Sequence, residues 1–283
     1  MRSNNYAYVN GAFVPEAQAS VSIYDSGFLF GDGVFETMPI YGGRIFRFHQ
    51  HVRRLFAGLE RLKIDPPFSA EALLGIFQKL CEQDIKHGVA RVYVTRGPGA
   101  TVLSTTSPLQ PTVVAIVWSH ASPYPETLRA VISSIRVDNE SSLTRIKSAN
   151  RLMYVLAKQE ADHVGVDEAL LLNQSGHVVE FSAYNVFAVI DGRLITPPVS
   201  EGALPGITRE AVMQLAQKLE IPSLEVRMKP ADLLNANEVF ATNSIREIVA
   251  VDGLNGNRPD EKHHVTLQLR QAYRDLVREE LRL

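Results

Sequence analysis

Lys147 stands in the run Leu143-Thr144-Arg145-Ile146-Lys147-Ser148-Ala149-Asn150, ahead of a helical pattern reading RLMYVLAKQEA. A lysine beside a cap-like serine is ordinarily a solvated helix start. Held in a pocket and partly desolvated, the same amine can form an imine with an aldehyde and then carry a proton. Glu180 lies in the apolar run Val178-Val179-Glu180-Phe181, where an unpaired carboxylate is costly. Its partner is an arginine, a set of backbone amides, or a protonated pyridine nitrogen that it would keep charged as an electron sink. Leu204-Pro205-Gly206-Ile207-Thr208-Arg209 sets a glycine and a threonine at a helix entry. Free amides and the helix dipole favour a phosphate there, although many helices begin this way without a ligand. Thr242-Asn243-Ser244 offers three small polar side chains after a strand, a composition that turns share. Arg54 follows His51 on a helix and either reaches an anion or projects into solvent.

The elements that must position these groups are legible in outline. YAYVNGAFVP, residues 6–15, reads as a hairpin about Asn10-Gly11. A strand is expected from Gly33 to Tyr41, a Gly42-Gly43 turn, and a second strand from Arg44 to Phe48. Val52, Leu55, Leu59 and Leu62 recur at helical spacing in residues 49–62, and a further helix runs from Ser69 or Glu71 to about His87. Strands follow at residues 90–95 and 112–118, with a loop from Pro98 to Pro111 that could lie over a pocket. The polar stretch 119–129 is the candidate linker, which divides the chain into a small α/β domain, 1–120, and a larger domain, 121–283. In the second half, strands at 130–135, 168–173, 178–190 and 238–242 alternate with helices near 148–163 and 209–219. An amphipathic helix closes the chain from His264. Such a mixture predicts an α+β fold with a mixed sheet.

Composition removes several classes of function. Lysine plus arginine total 29 against 31 acidic residues, so no broad basic field invites nucleic acid or an anionic membrane. Cys81 is the single cysteine, which excludes an intramolecular disulfide and a cysteine-based zinc cluster. His263-His264 lacks matching ligand spacing, so no metal is expected. Without a signal-like or long apolar segment, a cytoplasmic protein is expected, neither secreted nor membrane-spanning. Tyr154 and Tyr184 read as core packing.

Taken together, YVNG, FGDGVFET, the HxxRL of residues 51–55, RIKSANRLMYVLAKQEA, DEALLLNQSGHVVEFSAYNVF, LPGITR and VFATNSIREIVAV resemble, in order, the class IV aminotransferases. These are fold-type IV enzymes that use pyridoxal 5'-phosphate; they include branched-chain and D-amino-acid aminotransferases and 4-amino-4-deoxychorismate lyase. The resemblance implies a two-domain α+β enzyme whose larger domain is a mixed, barrel-like β structure with helices. It implies a Schiff base on Lys147, which also moves the proton, and Glu180 at the pyridine nitrogen. Arg54, Ile207, Thr208 and Ser244 would hold the phosphate, Ser244 standing where the family usually has threonine. Phe35, Arg91, Arg96 and Asn243 fall to the substrate side. A homodimer is implied, with an amino donor and a keto acid acceptor as small-molecule partners.

The subgroups match only in part. D-amino-acid aminotransferases carry an arginine and a histidine where this chain has Thr101 and Leu103, so the usual carboxylate trap is absent and Arg91 or Arg96 would replace it. Branched-chain enzymes share an arginine at position 91 but have a tyrosine where Leu152 stands. The Thr242-Asn243-Ser244 block resembles that of many lyases, and Phe181 replaces a family glycine. The expected function is an aminotransferase for small amino acids or amines with a non-standard carboxylate pocket. The lyase that releases pyruvate and 4-aminobenzoate is the alternative, and a non-catalytic cofactor-binding protein the second.

Overall fold

The computed structural model describes residues 6–99, 103, 110–120, 126–257 and 263–283. The chain divides into two compact units, the first comprising Met1–Ala121 with Ile146–Arg151 and Leu283, the second Ser122–Arg145 with Leu152–Arg282. The strip Ile146–Arg151 thus packs with the first unit, whereas a division at residue 120 places it in the second.

The first unit is built on a six-stranded sheet. Its elements are β1 (Tyr6–Val9), β2 (Ala12–Pro15), α1 (Ser26–Phe30), β3 (Gly33–Tyr41), β4 (Arg44–Ile45), α2 (Phe48–Leu62), α3 (Ala70–Cys81), β5 (His87–Thr95) and β6 (Thr112–Ser119), with strand order β2-β1-β6-β5-β3-β4. The first hairpin forms as its Asn-Gly predicts, both turn residues adopting positive φ. Two expected boundaries move. β4 stops at Ile45 because Arg47 takes a left-handed conformation and Phe48 already opens α2. α3 ends at Cys81, since the Gln83 side-chain amide donates to the Leu80 carbonyl and Asp84 turns left-handed, so that His87 begins a strand. Val34, Met38 and Ile40 on alternate positions of β3 pack in one core with Val52, Leu55 and Leu59 of α2. Burying each such leucine stabilises the unit by about 1.5–3 kcal/mol.

The second unit contains β7 (Thr127–Val137), α4 (Leu152–His163), β8 (Glu168–Asn173), β9 (Val178–Phe181), β10 (Asn185–Ile190), β11 (Arg193–Thr196), α5 (Ile207–Lys218), β12 (Ser223–Glu225), α6 (Pro230–Leu234), β13 (Glu238–Asn243), β14 (Glu247–Leu254) and α7 (His264–Leu281). Its eight strands form one sheet in the order β12-β11-β10-β13-β14-β7-β8-β9, with β14, β7 and β8 parallel and most other neighbours antiparallel. The mixed α+β expectation is met. The run 178–190 is two strands rather than one, because residues 182–184 turn the edge strand β9 into β10, third from the opposite edge. A connection that short requires the sheet to curl on itself. β8 is buried along its whole length: Leu170 and Leu172 join one core while Ala169 and Leu171 join another, which explains its unbroken apolar text. β11, β12, β14, α1 and α6 were not expected from periodicity. Among the described residues, no helix is long and apolar enough to cross a membrane, and no group of three or more His, Cys, Asp or Glu side chains is placed to hold a metal.

Candidate functional site

Residues 146–151 are not the helix start that Ser148 suggests. They lie along the open edge of β3 through a single isolated bridge, Val34–Ser148, about which the Phe35 amide donates to the Lys147 carbonyl at 3.0 Å and the Ala149 amide to the Gly33 carbonyl at 2.9 Å. The Ser148 hydroxyl accepts from the Asn150 amide, closing a local turn instead of capping α4. The lysine is therefore fixed by main-chain pairing. Gly58 of α2 permits this close approach, since a Cβ there would meet Val34 Cγ1 at 2.9 Å and Ile146 Cβ at 3.8 Å.

Beside the lysine stands an aromatic group on β3, β5 and β6. Lys147 Nζ lies 4.7 Å from the Phe35 ring centroid, and Phe35 stacks on Tyr93 at 5.2 Å. Arg91, paired in register with Thr37, donates to the Thr37 hydroxyl at 3.0 Å. Its guanidinium stands over Phe35, Tyr93 and Trp118, with Cζ 5.8, 6.0 and 5.2 Å from their centroids. A cation held on ring faces keeps its charge while its orientation is restricted. Arg96 is placed otherwise: it binds Asp32 through Nε at 2.6 Å and reaches the Leu62 and Lys63 carbonyls at the end of α2. That commitment ties β5 to α2. Thr101 lies outside the described residues, and Leu103 is exposed.

Arg54 meets a carboxylate that sequence reasoning passed over. Its Nε and Nη2 donate to Glu36 Oε1 and Oε2 at 2.7 and 2.9 Å, and His51 Nδ1 lies 2.7 Å from Glu36 Oε2. Burial pushes the Glu36 carboxyl up, but the charges and hydrogen bonds of Arg54 and His51 outweigh it and hold the group well below the usual carboxylate range. Burial pushes His51 down, and Glu36 only partly restores it. Both groups take protons more readily in the unfolded chain than in the fold. Stability from this cluster is therefore complete above the ordinary histidine value of 6.5, and it falls further as pH drops below 4.5, the ordinary glutamate value. Cofactor-free protein is expected to lose thermal stability on acidification, with His51→Asn flattening the upper part of the fall in a melting series. Glu168 runs the other way, because burial raises it against the pull of the Ser182 hydroxyl, so it cannot produce that loss.

In the second unit Glu180 is buried on β9 and accepts hydrogen bonds from Tyr154 Oη at 3.2 Å, the Leu204 amide at 3.0 Å and Asn185 Nδ2 at 3.2 Å. Tyr154 thus does more than pack. Asn185 also donates to the Leu204 carbonyl at 2.9 Å, so one amide side chain ties Glu180 to the loop that leads into α5. Gly206 makes room for it, since a Cβ there would sit 1.9 Å from Asn185 Oδ1. Gly206→Ala is expected to displace Asn185 and cost about 1–3 kcal/mol, read as a lower melting temperature together with weaker cofactor binding.

The start of α5 has no side-chain cap, and its second residue, Thr208, is buried with a hydroxyl that finds no partner among the described residues. An orphan hydroxyl beside the free amides of the first helical turn suits a phosphate oxygen. Ser244 lies in the turn joining β13 to β14. Asn243 shapes that turn: its Oδ1 accepts from the Ile245 and Arg246 amides at 3.0 and 2.7 Å, and its Nδ2 donates to the Ala183 carbonyl.

Each unit by itself suits part of one cofactor, pyridoxal 5'-phosphate: the first offers a lysine amine for its aldehyde, the second a buried carboxylate for its ring nitrogen and an open helix end for its phosphate. Residues 33–254 match the amino-transferase class IV family. A Methanocaldococcus jannaschii protein named for branched-chain-amino-acid transamination is 37% identical over 278 residues, 95% of each chain. The D-alanine aminotransferase of Staphylococcus epidermidis is 30% identical over 274 residues, 95% of this chain and 97% of its own. Among solved structures, the branched-chain aminotransferase of the thermophilic archaeon Thermoproteus uzoniensis, solved with norvaline, matches with a TM-score of 0.91 at 29% identity, covering 96% of this chain and 94% of its own. A Legionella pneumophila protein named for 4-amino-4-deoxychorismate lyase activity matches with a TM-score of 0.86 at 26% identity, covering 92% and 96%. The chain belongs to the class IV aminotransferase family, and is an enzyme dependent on pyridoxal 5'-phosphate.

Proposed function

We propose that this enzyme is a transaminase for small amino acids, with Lys147 as its covalent attachment point and Arg91 as its carboxylate reader. The observation that carries the proposal is the Phe35 ring, with Lys147 Nζ 4.7 Å and Arg91 Cζ 5.8 Å from its centroid. When bound, the cofactor withdraws electrons from the substrate carbon that bears the amino group and so acidifies its proton. Lys147 Nζ holds the cofactor between turnovers and carries that proton. Glu180 keeps the ring nitrogen protonated, and Ile207, Thr208, Ser244 and Arg54 hold the phosphate. Arg91 pairs two-pronged with the substrate carboxylate, a role that Arg96, spent on Asp32 and α2, fills less well.

The decisive test mixes cofactor-loaded protein with L- and D-amino acids and simple amines, without a keto acid, and follows the visible spectrum. Conversion to the pyridoxamine form by one class of donor supports the proposal and names the donor. No conversion, with pyruvate released from aminodeoxychorismate, would establish the lyase, which the Legionella relative favours. Arg91→Ala is expected to lower kcat/KM for amino acids by about tenfold to a hundredfold while amines lacking a carboxylate lose little. Equal loss with both would place the carboxylate reader elsewhere. A homodimer is part of the proposal, supported by the exposed apolar stretch Val21, Ile23, Tyr24, Phe28 and Leu29, of which Phe28 is 70% exposed. Sedimentation as a monomer at working concentration would contradict it. A reducing, cytoplasmic setting accords with the lone Cys81, whose thiol burial pushes up to about 11.

A further inference from the structure

We propose that Glu36, backed by His51, is the positioning residue for Arg54, fixing the plane of its guanidinium so that it discriminates for the cofactor phosphate. The inference rests on the assignment of Arg54 as a phosphate ligand. Glu36 and His51 are each 1% exposed, and the Arg54 side chain is 10% exposed. Two parallel N–H···O contacts, from Nε and Nη2, lock a side chain that otherwise samples many rotamers. With Glu36 ionised, the ring nitrogen facing it must be the protonated one. His51 Nδ1 therefore donates the third bond to the carboxylate and prevents it from rotating away.

A neutral His51 leaves one positive and one negative charge in the cluster, so the attraction for an anion depends on how the guanidinium is aimed rather than on net charge. Stability alone does not account for the trio, because a buried ion pair gains little over apolar side chains of the same volume. Position adds to the case. Glu36 follows directly on the Gly33–Phe35 stretch that pairs with Lys147 and Ala149, so one strand sets both the attachment lysine and the carboxylate that aims Arg54.

The test uses cofactor-free protein titrated with pyridoxamine 5'-phosphate and, separately, pyridoxamine, read by the fluorescence of Trp118, the single tryptophan. Melting temperature is measured for each variant. Arg54→Lys and Glu36→Gln are each expected to lower the preference for the phosphorylated compound by about tenfold or more, leaving pyridoxamine binding nearly unchanged. His51→Asn, whose amide can donate from near the Nδ1 position, should keep the preference, and His51→Leu should lose it. Unchanged preference in Arg54→Lys overturns the phosphate assignment and the inference with it. Loss in Arg54→Lys but not in Glu36→Gln overturns the positioning role alone, as does equal weakening of both compounds in Glu36→Gln. Should Glu36→Gln fail to fold, the histidine pair decides: equal preference in His51→Asn and His51→Leu overturns the proposal.

Discussion

Lys147→Ala is expected to remove the visible absorbance band of the bound cofactor and to slow turnover by about 10,000-fold or more, since covalent attachment and proton transfer are lost together. The fold should survive. The two hydrogen bonds that seat this strip on β3 use the main chain of Lys147 and Ala149, so the side chain can be shortened without releasing it. Melting temperature of the cofactor-free protein should therefore stay close to wild type, which separates a chemical loss from a structural one. A band retained at full intensity would show that another amine is the attachment point.

Glu180→Gln carries the second largest expected effect, a slowing of proton removal by about 100- to 1,000-fold, with the cofactor still bound. Leu204 and Asn185 both donate to Oε2, and Tyr154 donates to Oε1. A glutamine can keep its oxygen toward the first two and turn its amide toward the tyrosine oxygen, so the local network persists while the charge disappears. Single-turnover rates with a deuterated donor should then show a larger isotope effect than wild type. Rates equal to wild type would refute the pairing of Glu180 with the ring nitrogen.

The extent to which the sequence disclosed this arrangement varied with the kind of signal. β3 and β8 were placed to the residue, because one is bounded by glycines and the other is a continuous apolar run. Sequence extends α4 back to about Ser148, four residues too early, because local propensity cannot register a pairing partner more than a hundred residues away, at Gly33–Phe35. Arg91 and Arg96 could not be told apart as text; their neighbours differ only in space, rings for one and helix-end carbonyls for the other. Glu36 and His51 did leave a trace. Each occupies a core-facing position in its periodic pattern, among Val34, Met38 and Ile40 in β3 and Phe48, Val52 and Leu55 in α2, where a charged or polar side chain demands a partner. Asn243, a substrate candidate from its type, is a turn former: its side chain accepts from the Ile245 and Arg246 amides and donates to the Ala183 carbonyl.

The seating of residues 146–151 on β3 also bears on synthesis. A nascent chain that has emerged only as far as Ala121 carries β1 to β6 but leaves the Gly33 carbonyl and the Phe35 amide of β3 without their partners. An unpaired strand edge invites pairing with another chain. At the usual pace of translation, about 5–20 residues per second, that edge stays open for a few seconds until the lysine-bearing strip arrives. The segment that carries Lys147 thus closes an edge of β3 that would otherwise stay open on the growing chain.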